Sequence, residues 1–327
     1  MSQTGVPRFS LVMPAYNAGT TIGRAIESIL AQSYGGWELI IVDDGSTDET
    51  GSIAREYAGR DMRIRVVEQE NAGCAAARRT GALVATGDFV TKMDADDALT
   101  PDALAVLSTA IDTEPGYDIY SATGYKVYPD GSRREIFGAL RYLEPISLTV
   151  EDLIDECWIF SGAASIRRKT LERVGGFRAD MRCEDYDLWL RALAQGATHR
   201  HIPAHIYLYS MGLPGRMNED PRPSFRSYIE ILEDLIARGL FTEEQTALAR
   251  ASIAKFEERI RQIDETGTTD AEFTDAQARR FKAGVTRLLG PRAGLRVLRA
   301  ADRVKCVVRP VRLAMARRAR LKGQHRE

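Results

Sequence analysis

The sequence predicts an α/β fold, a mostly parallel sheet flanked by helices, with a helical C-terminal extension. Three observations predict it. In the first hundred residues a short apolar, β-rich run gives way to a helical pattern four times over. Strands alternating with helices of about ten to fifteen residues indicate βαβ units and a parallel sheet. From residue 224 onward the pattern becomes helical alone.

In order, the four strand runs are residues 9–13, 38–42, 63–67 and 89–93, and the helical patterns follow at 20–32, from 47, 74–85 and 101–111. Ser46-Thr-Asp-Glu49 predicts a capping box, and Thr100-Pro101 predicts an N-cap before a first-turn proline. Right-handed crossovers place all four strand-to-helix loops on one edge of the sheet, the edge where open α/β sheets bind ligands. A mixed region follows: a β stretch at 117–128, a Pro129-Asp130-Gly131 turn, a Gly175-Gly176-Phe177 break, a helix at 184–195 and a β-like run at 201–209. After a Pro/Gly/Met-rich connection (212–223), helices are expected at 224–238, 243–265, 271–289 and 292–321. Three units result: 1–115 and 116–222 as two halves of one domain, and 223–327 as the helical extension.

Composition narrows the function classes. Hydrophobic residues make up 44% and charged residues 28%, enough apolar material for a packed core. No apolar run reaches the roughly 18 residues of a membrane span. The start, MSQTGVPRFSLVMPAYN, lacks a basic segment followed by an apolar one, so a secretory signal is not expected. Four scattered cysteines form no CxxC pair, and none of the three asparagines begins a glycosylation sequon. A cytoplasmic chain is expected. Its net charge of −1 hides an asymmetry: residues 303–327 hold nine Lys/Arg against one acid, and the rest of the chain is acidic.

The four loops at the shared edge read Pro14-Ala15-Tyr16-Asn17, Asp43-Asp44-Gly45-Ser46, Asn71-Ala72-Gly73 with Arg78 one turn into its helix, and Asp94-Ala95-Asp96-Asp97. Singly, such residues cap helices and make turns. Together they bring carboxylates to two strand ends, where like charges held close are costly without a cation or a hydrogen-bonding ligand. Hard divalent metals take oxygen ligands, commonly one or two carboxylates plus substrate phosphates, and an arginine neutralises phosphate. A metal-diphosphate site follows, with no GxGxxG or P-loop element competing for it.

The segments FSLVMPAYNAGTTIGRAIESILAQSY, WELIIVDDGSTDET, NAGCAAARRTG and GDFVTKMDADD resemble the nucleotide-sugar half of a family 2 glycosyltransferase of GT-A fold. SGAASIRRKTLERVGGF and CEDYDLWLRAL resemble its acceptor half, and the match spans roughly residues 8–210. The resemblance implies a Rossmann-like sheet and an inverting transfer from a nucleotide-diphosphate sugar, a UDP-sugar first, to an acceptor hydroxyl. It implies that Pro14, Ala15, Tyr16 and Asn17 line the nucleoside pocket, Asp44 binds the base and Arg78 approaches the nucleotide. Asp94 and Asp96 match the DxD motif, with Asp96 the contact to Mn2+ or Mg2+ and Asp97 able to share it. Asp43 reads as a structural turn acceptor. Asp185 is implied as the base.

Helix spacing supports that role, because Asp185 lies on the side of Leu188, Trp189 and Ala192, three, four and seven residues on. An N-terminal cap is the other reading. Asp187 faces elsewhere, paired with Arg191 as a surface charge. Many family members carry a Tyr-Arg-x-His-like stretch after the acceptor-half strand. Here residues 207–216 hold no histidine, and Arg216 is the candidate substitute. His199, His201 and His205 read as edge residues or, less simply, as metal ligands. Val304, Val307, Val308, Val311 and Met315 share one side of a basic helix. Such a helix docks on its own domain or binds an anionic membrane through residues 303–322. The tail has no aromatic residue for stacking on bases, so no nucleic-acid partner is expected. The acceptor is a carbohydrate or lipid-linked glycan, and the reading from another class is a non-catalytic scaffold recruited by the basic tail.

Overall fold

The computed structural model describes residues 7–136, 147–155, 157, 159–212 and 220–267. Three parallel pairings join the first four strands: β1 (Phe9–Ala15) lies between β2 (Trp37–Asp43) and β4 (Phe89–Lys92), and β3 (Ile64–Glu68) pairs β2 on the outside. Helices α1 (Ile22–Leu30), α2 (Thr50–Arg60) and α3 (Cys74–Leu83) make the crossovers, so the strand-to-helix loops share one edge. After the two-residue β5 (Ala98–Leu99) come α4 (Ala103–Thr113), β6 (Ile119–Val127) and β7 (Arg133–Glu135). Next are α5 (Val150–Asp155), a 3-10 turn at Ser161–Ala163, β8 (Ala164–Arg167), α6 (Arg168–Arg173), α7 (Glu184–Ala194) and β9 (His199–Ser210). The strand order is β3-β2-β1-β4-β8-β6-β9-β5, with β7 on β6. One sheet therefore runs through both predicted halves, and β8 enters antiparallel between β4 and β6.

Alternation along the strands divides the core into two layers. Phe9, Leu11, Met13, Leu39 and Ile41 face α1 and α4, and Val12, Ile40, Val42 and Val90 face α3 and α7. Helices α8 (Arg222–Ala237) and α9 (Glu243–Thr266) extend the second layer through Phe225, Ile231, Leu235 and Phe256. Helix α3 packs unusually close: a Cβ at Gly81 would meet Val12 at 2.5 Å. No helix among the described residues is long and apolar enough to cross a membrane.

Local details correct several expectations. The predicted capping box at Ser46 does not form; Ser46 N donates to Asp43 Oδ1 at 3.0 Å and α2 starts at Thr50 without a side-chain cap. Nor does Thr100 cap α4, whose N-cap residue is Asp102. The capping box that exists is Thr242 with Gln245, at the start of α9. Asp187 is not a surface charge. It pairs with Arg191 as expected, at 2.6 Å, but is fully buried, with Arg178, itself paired with Asp234 of α8, 3.6 Å away on its other oxygen. Arg191 also donates to the carbonyls of Val174 and Gly176, tying α7 to the glycine turn. The three histidines lie on the stretch of β9 that pairs with β6, ahead of the two residues paired with β5, and His199 and His201 are buried there. His199 and His201 share the Ser121 hydroxyl at 2.8 and 3.2 Å, and His205 stacks on Tyr125. Burial pushes the His201 pKa down to about 4, so the ring is neutral. Arg216, the segments 271–289 and 292–321, and the basic tail lie outside the described residues.

Candidate active site

The loops after β1 and β2 are knotted together. Asn17 takes a positive φ of 48°, and its Oδ1 accepts from Thr47 N at 2.9 Å while its own amide donates to Ser46 Oγ at 3.1 Å. The turn leaves Tyr16 half exposed (52%), a free aromatic face beside Pro14 and Ala15 at the end of β1. Asp44 is buried and accepts from Gln69 Nε2 at 2.7 Å, Ala72 N at 2.9 Å and Gly73 N at 2.8 Å. It thereby fixes the loop that starts α3, where Gly73 supplies a φ of 88°. A carboxylate offers about four acceptor positions, so one is left over from these contacts.

Around the end of β4 five charged side chains converge. Arg78 is buried and forks between Asp94, at 2.7 Å, and Glu184 at the start of α7. Lys92 Nζ lies 3.2 Å from Asp185 Oδ2 and 3.9 Å from Asp94 Oδ2. Burial opposes charge on Arg78, Lys92, Asp94 and Asp185, and their mutual pairing prevails. Lys92 and Arg78 hold Asp94 below the usual carboxyl range. For Asp185 the same two cations and a hydrogen bond from Ser161 outweigh desolvation and bring the pKa to about 2. Ser161 Oγ itself accepts from Trp189 Nε1 at 2.9 Å. Leu188, Trp189 and Ala192 are buried beneath Asp185, as the helix spacing predicts, and Asp185 keeps 28% of its side chain exposed.

The DxDD loop is held from across the sheet. Asp97 is fully buried, accepting from Tyr207 Oη at 2.9 Å and Ser210 N at 2.8 Å. A share in metal binding is thus closed to it, because its carboxylate is turned into the protein to anchor β9. The Asp96 carbonyl accepts from Arg24 at 2.6 Å and Ser210 Oγ at 2.7 Å, which sets the loop while its carboxylate stays half-buried at the rim. No group of three or more His, Cys, Asp and Glu side chains among the described residues is placed to hold a metal.

Residues 10–175, which carry the strands and loops of this sheet edge up to the glycine turn before α7, are matched by a family model, "Glycosyl transferase family 2". The chain belongs to glycosyltransferase family 2. EpsE of Bacillus subtilis is 32% identical over 203 residues, 62% of this chain and 72% of that one. With other curated relatives the match spans from 14% to 33% of their length. Among solved structures, TarS of S. aureus in complex with UDP superposes with a TM-score of 0.59 at 20% identity, covering 77% of this chain and 71% of that one. The mannosyltransferase PcManGT of Pyrobaculum calidifontis, in complex with GDP-Man and Mn2+, gives 0.56 at 21%, over 85% and 81%. At these identities the structures establish the GT-A fold.

Of the residues anticipated in this glycosyltransferase, Asp94 and Asp185 are brought together, and Arg78 joins them as a clamp between the two parts of the sheet. Pro14 to Asn17 and Asp44 form a separate group along the same edge. Lys92, Glu184, Arg24 and Ser161 complete the site and were not anticipated. Lys92 alone carried a signal: a lysine in the run Phe89-Val-Thr-Lys-Met93, two residues before the DxD motif.

Proposed function

We propose that this glycosyltransferase moves a sugar from a nucleotide-diphosphate donor to an acceptor hydroxyl with inversion, a UDP-sugar first and GDP- or dTDP-sugars next. The carrying observation is the meeting of Asp94 and Asp185 around one ammonium. The donor strand and the acceptor helix thus face one reaction space, as direct displacement requires. Asp185, ionised far below neutral pH, takes the acceptor proton at its carboxylate while that oxygen attacks the anomeric carbon and the bond to the diphosphate breaks on the far side. Tyr16 offers its ring to the base, Pro14, Ala15 and Asn17 shape the pocket, and Asp44 has one acceptor position for a base N–H. Arg78 acts on the nucleotide through Asp94, which it fixes.

The donor set suits a hard divalent ion, Mn2+ or Mg2+, with oxygen ligands only. Asp96 would hold it, because Arg78 already occupies Asp94 Oδ1. Such an ion supplies electrostatic stabilisation of the charge growing on the departing diphosphate. TarS and PcManGT, solved with UDP and with GDP-Man and Mn2+, support both parts of the reading. The acceptor is a carbohydrate or lipid-linked glycan, made into polysaccharide or glycolipid at the cytoplasmic face of the membrane.

Calorimetric titration with UDP, GDP and dTDP, each with and without Mn2+, tests the donor site. One nucleotide is expected to bind tightly with Mn2+, and Asp96→Ala is expected to remove the Mn2+-dependent part of that affinity. Binding of none of the three would sink the reading, and metal-independent binding would remove Asp96 from it.

A further inference from the structure

We propose that Lys92 is a positioning residue, the one contact among the described residues by which the donor strand holds the candidate base Asp185. This inference rests on the reading above and adds to it a residue outside the DxD motif.

Strand alternation explains how a lysine reaches the base. Val90 on β4 faces the core layer that contains α7, and Lys92, two residues on, points the same way. Its side chain is only 13% exposed, standing where an apolar residue would otherwise fill the layer. A buried ammonium is tolerated only when paired, and its partners are Asp185 at 3.2 Å and Asp94 at 3.9 Å. The two buried cations divide the work. Arg78 takes Asp94 and Glu184 and anchors the start of α7, but makes no ion pair with Asp185. The other groups holding the Asp185 carboxylate, Ser161 and the Tyr186 amide at 2.8 Å, come from its own half of the chain.

Loss of Lys92 therefore leaves α7 clamped through Glu184 and Asp94 held by Arg78 at 2.7 Å, and takes from Asp185 its one ion-pair partner among the described residues. The consequence is specific: chemistry slows while nucleotide binding stays. A misplacement of about 1 Å in a reacting group costs up to about 10²-fold in rate.

The experiment measures nucleotide release from the nucleotide sugar whose base binds in the titration, with water in place of the acceptor, for wild type, Lys92→Met and Lys92→Arg. Calorimetry with UDP or GDP and Mn2+ runs in parallel. Lys92→Met is expected to lower kcat by about 10- to 100-fold with donor KM and nucleotide affinity unchanged, and Lys92→Arg to recover most of the loss. If Lys92→Met fails to fold, Lys92→Gln takes its place. Turnover equal to wild type overturns the proposal, as does a loss of nucleotide affinity as large as the loss of turnover, which would make Lys92 a diphosphate ligand. Failure of the wild type to bind any nucleotide instead removes the donor-site reading, and this inference with it.

Discussion

Asp185→Asn is expected to reduce transfer by about 10²–10⁴-fold, the usual contribution of a positioned general base, while nucleotide affinity stays at the wild-type level. Asparagine keeps the shape of the side chain and can still accept from Lys92 and Ser161, so α7 is not disturbed. What it loses is the capacity to take a proton. The rate of the variant separates this role from a helix cap, and the pH behaviour is that of an ionised carboxylate. With its pKa brought down to about 2, Asp185 is ionised throughout the mildly acidic range, so wild-type turnover should not fall there on its account. The sign for stability follows: a carboxylate whose folded pKa is depressed stabilises the protein above its unfolded value, and that contribution disappears as pH falls towards 2. Asp185→Asn removes this acid sensitivity. Transfer by the variant at the wild-type rate, measured as nucleotide release, would return Asp185 to the role of a cap.

Asp185 was legible in the sequence because its evidence is local. Its neighbours at three, four and seven residues define one face of an 11-residue helix, and the face is buried as expected. The four βα units were legible for the same reason, since strand and helix periods are written within about fifteen residues. Asp187 shows where this fails. Pairing with Arg191 is a matter of helix spacing and was readable, but the second cation beside it, Arg178, is held by Asp234 of α8, more than forty residues further on. The burial of His199 and His201 was not legible because their partner Ser121 lies on β6, about eighty residues away, and the strand that closes the end of β9, β5, is only Ala98 and Leu99. A two-residue strand has no period to detect. Ser46 failed as a cap because Asp43, three residues before it, competes for the same amide.

The clamp itself was the least legible part, because its partners, Arg78 and Glu184, lie 106 residues apart. Its removal should produce the largest loss of stability in the described protein. Arg78→Met leaves the buried Glu184 carboxylate without its ion-pair partner and leaves Asp94 with only the more distant Lys92. Breaking a buried pair from one side costs about 3–5 kcal/mol, because the remaining charge stays desolvated. Glu184→Gln should cost less, since Arg78 keeps Asp94 and the new amide oxygen still accepts from the guanidinium. Combining the two changes should cost less than their sum, by a coupling of about 0.5–3 kcal/mol, because the double variant no longer strands a charge on α7. Urea unfolding of the three variants measures all of this. Strict additivity would mean that the two side chains act independently. A near-neutral Arg78→Met would mean that the guanidinium is held for the nucleotide and not for the fold, and in that case the same variant should lose UDP affinity.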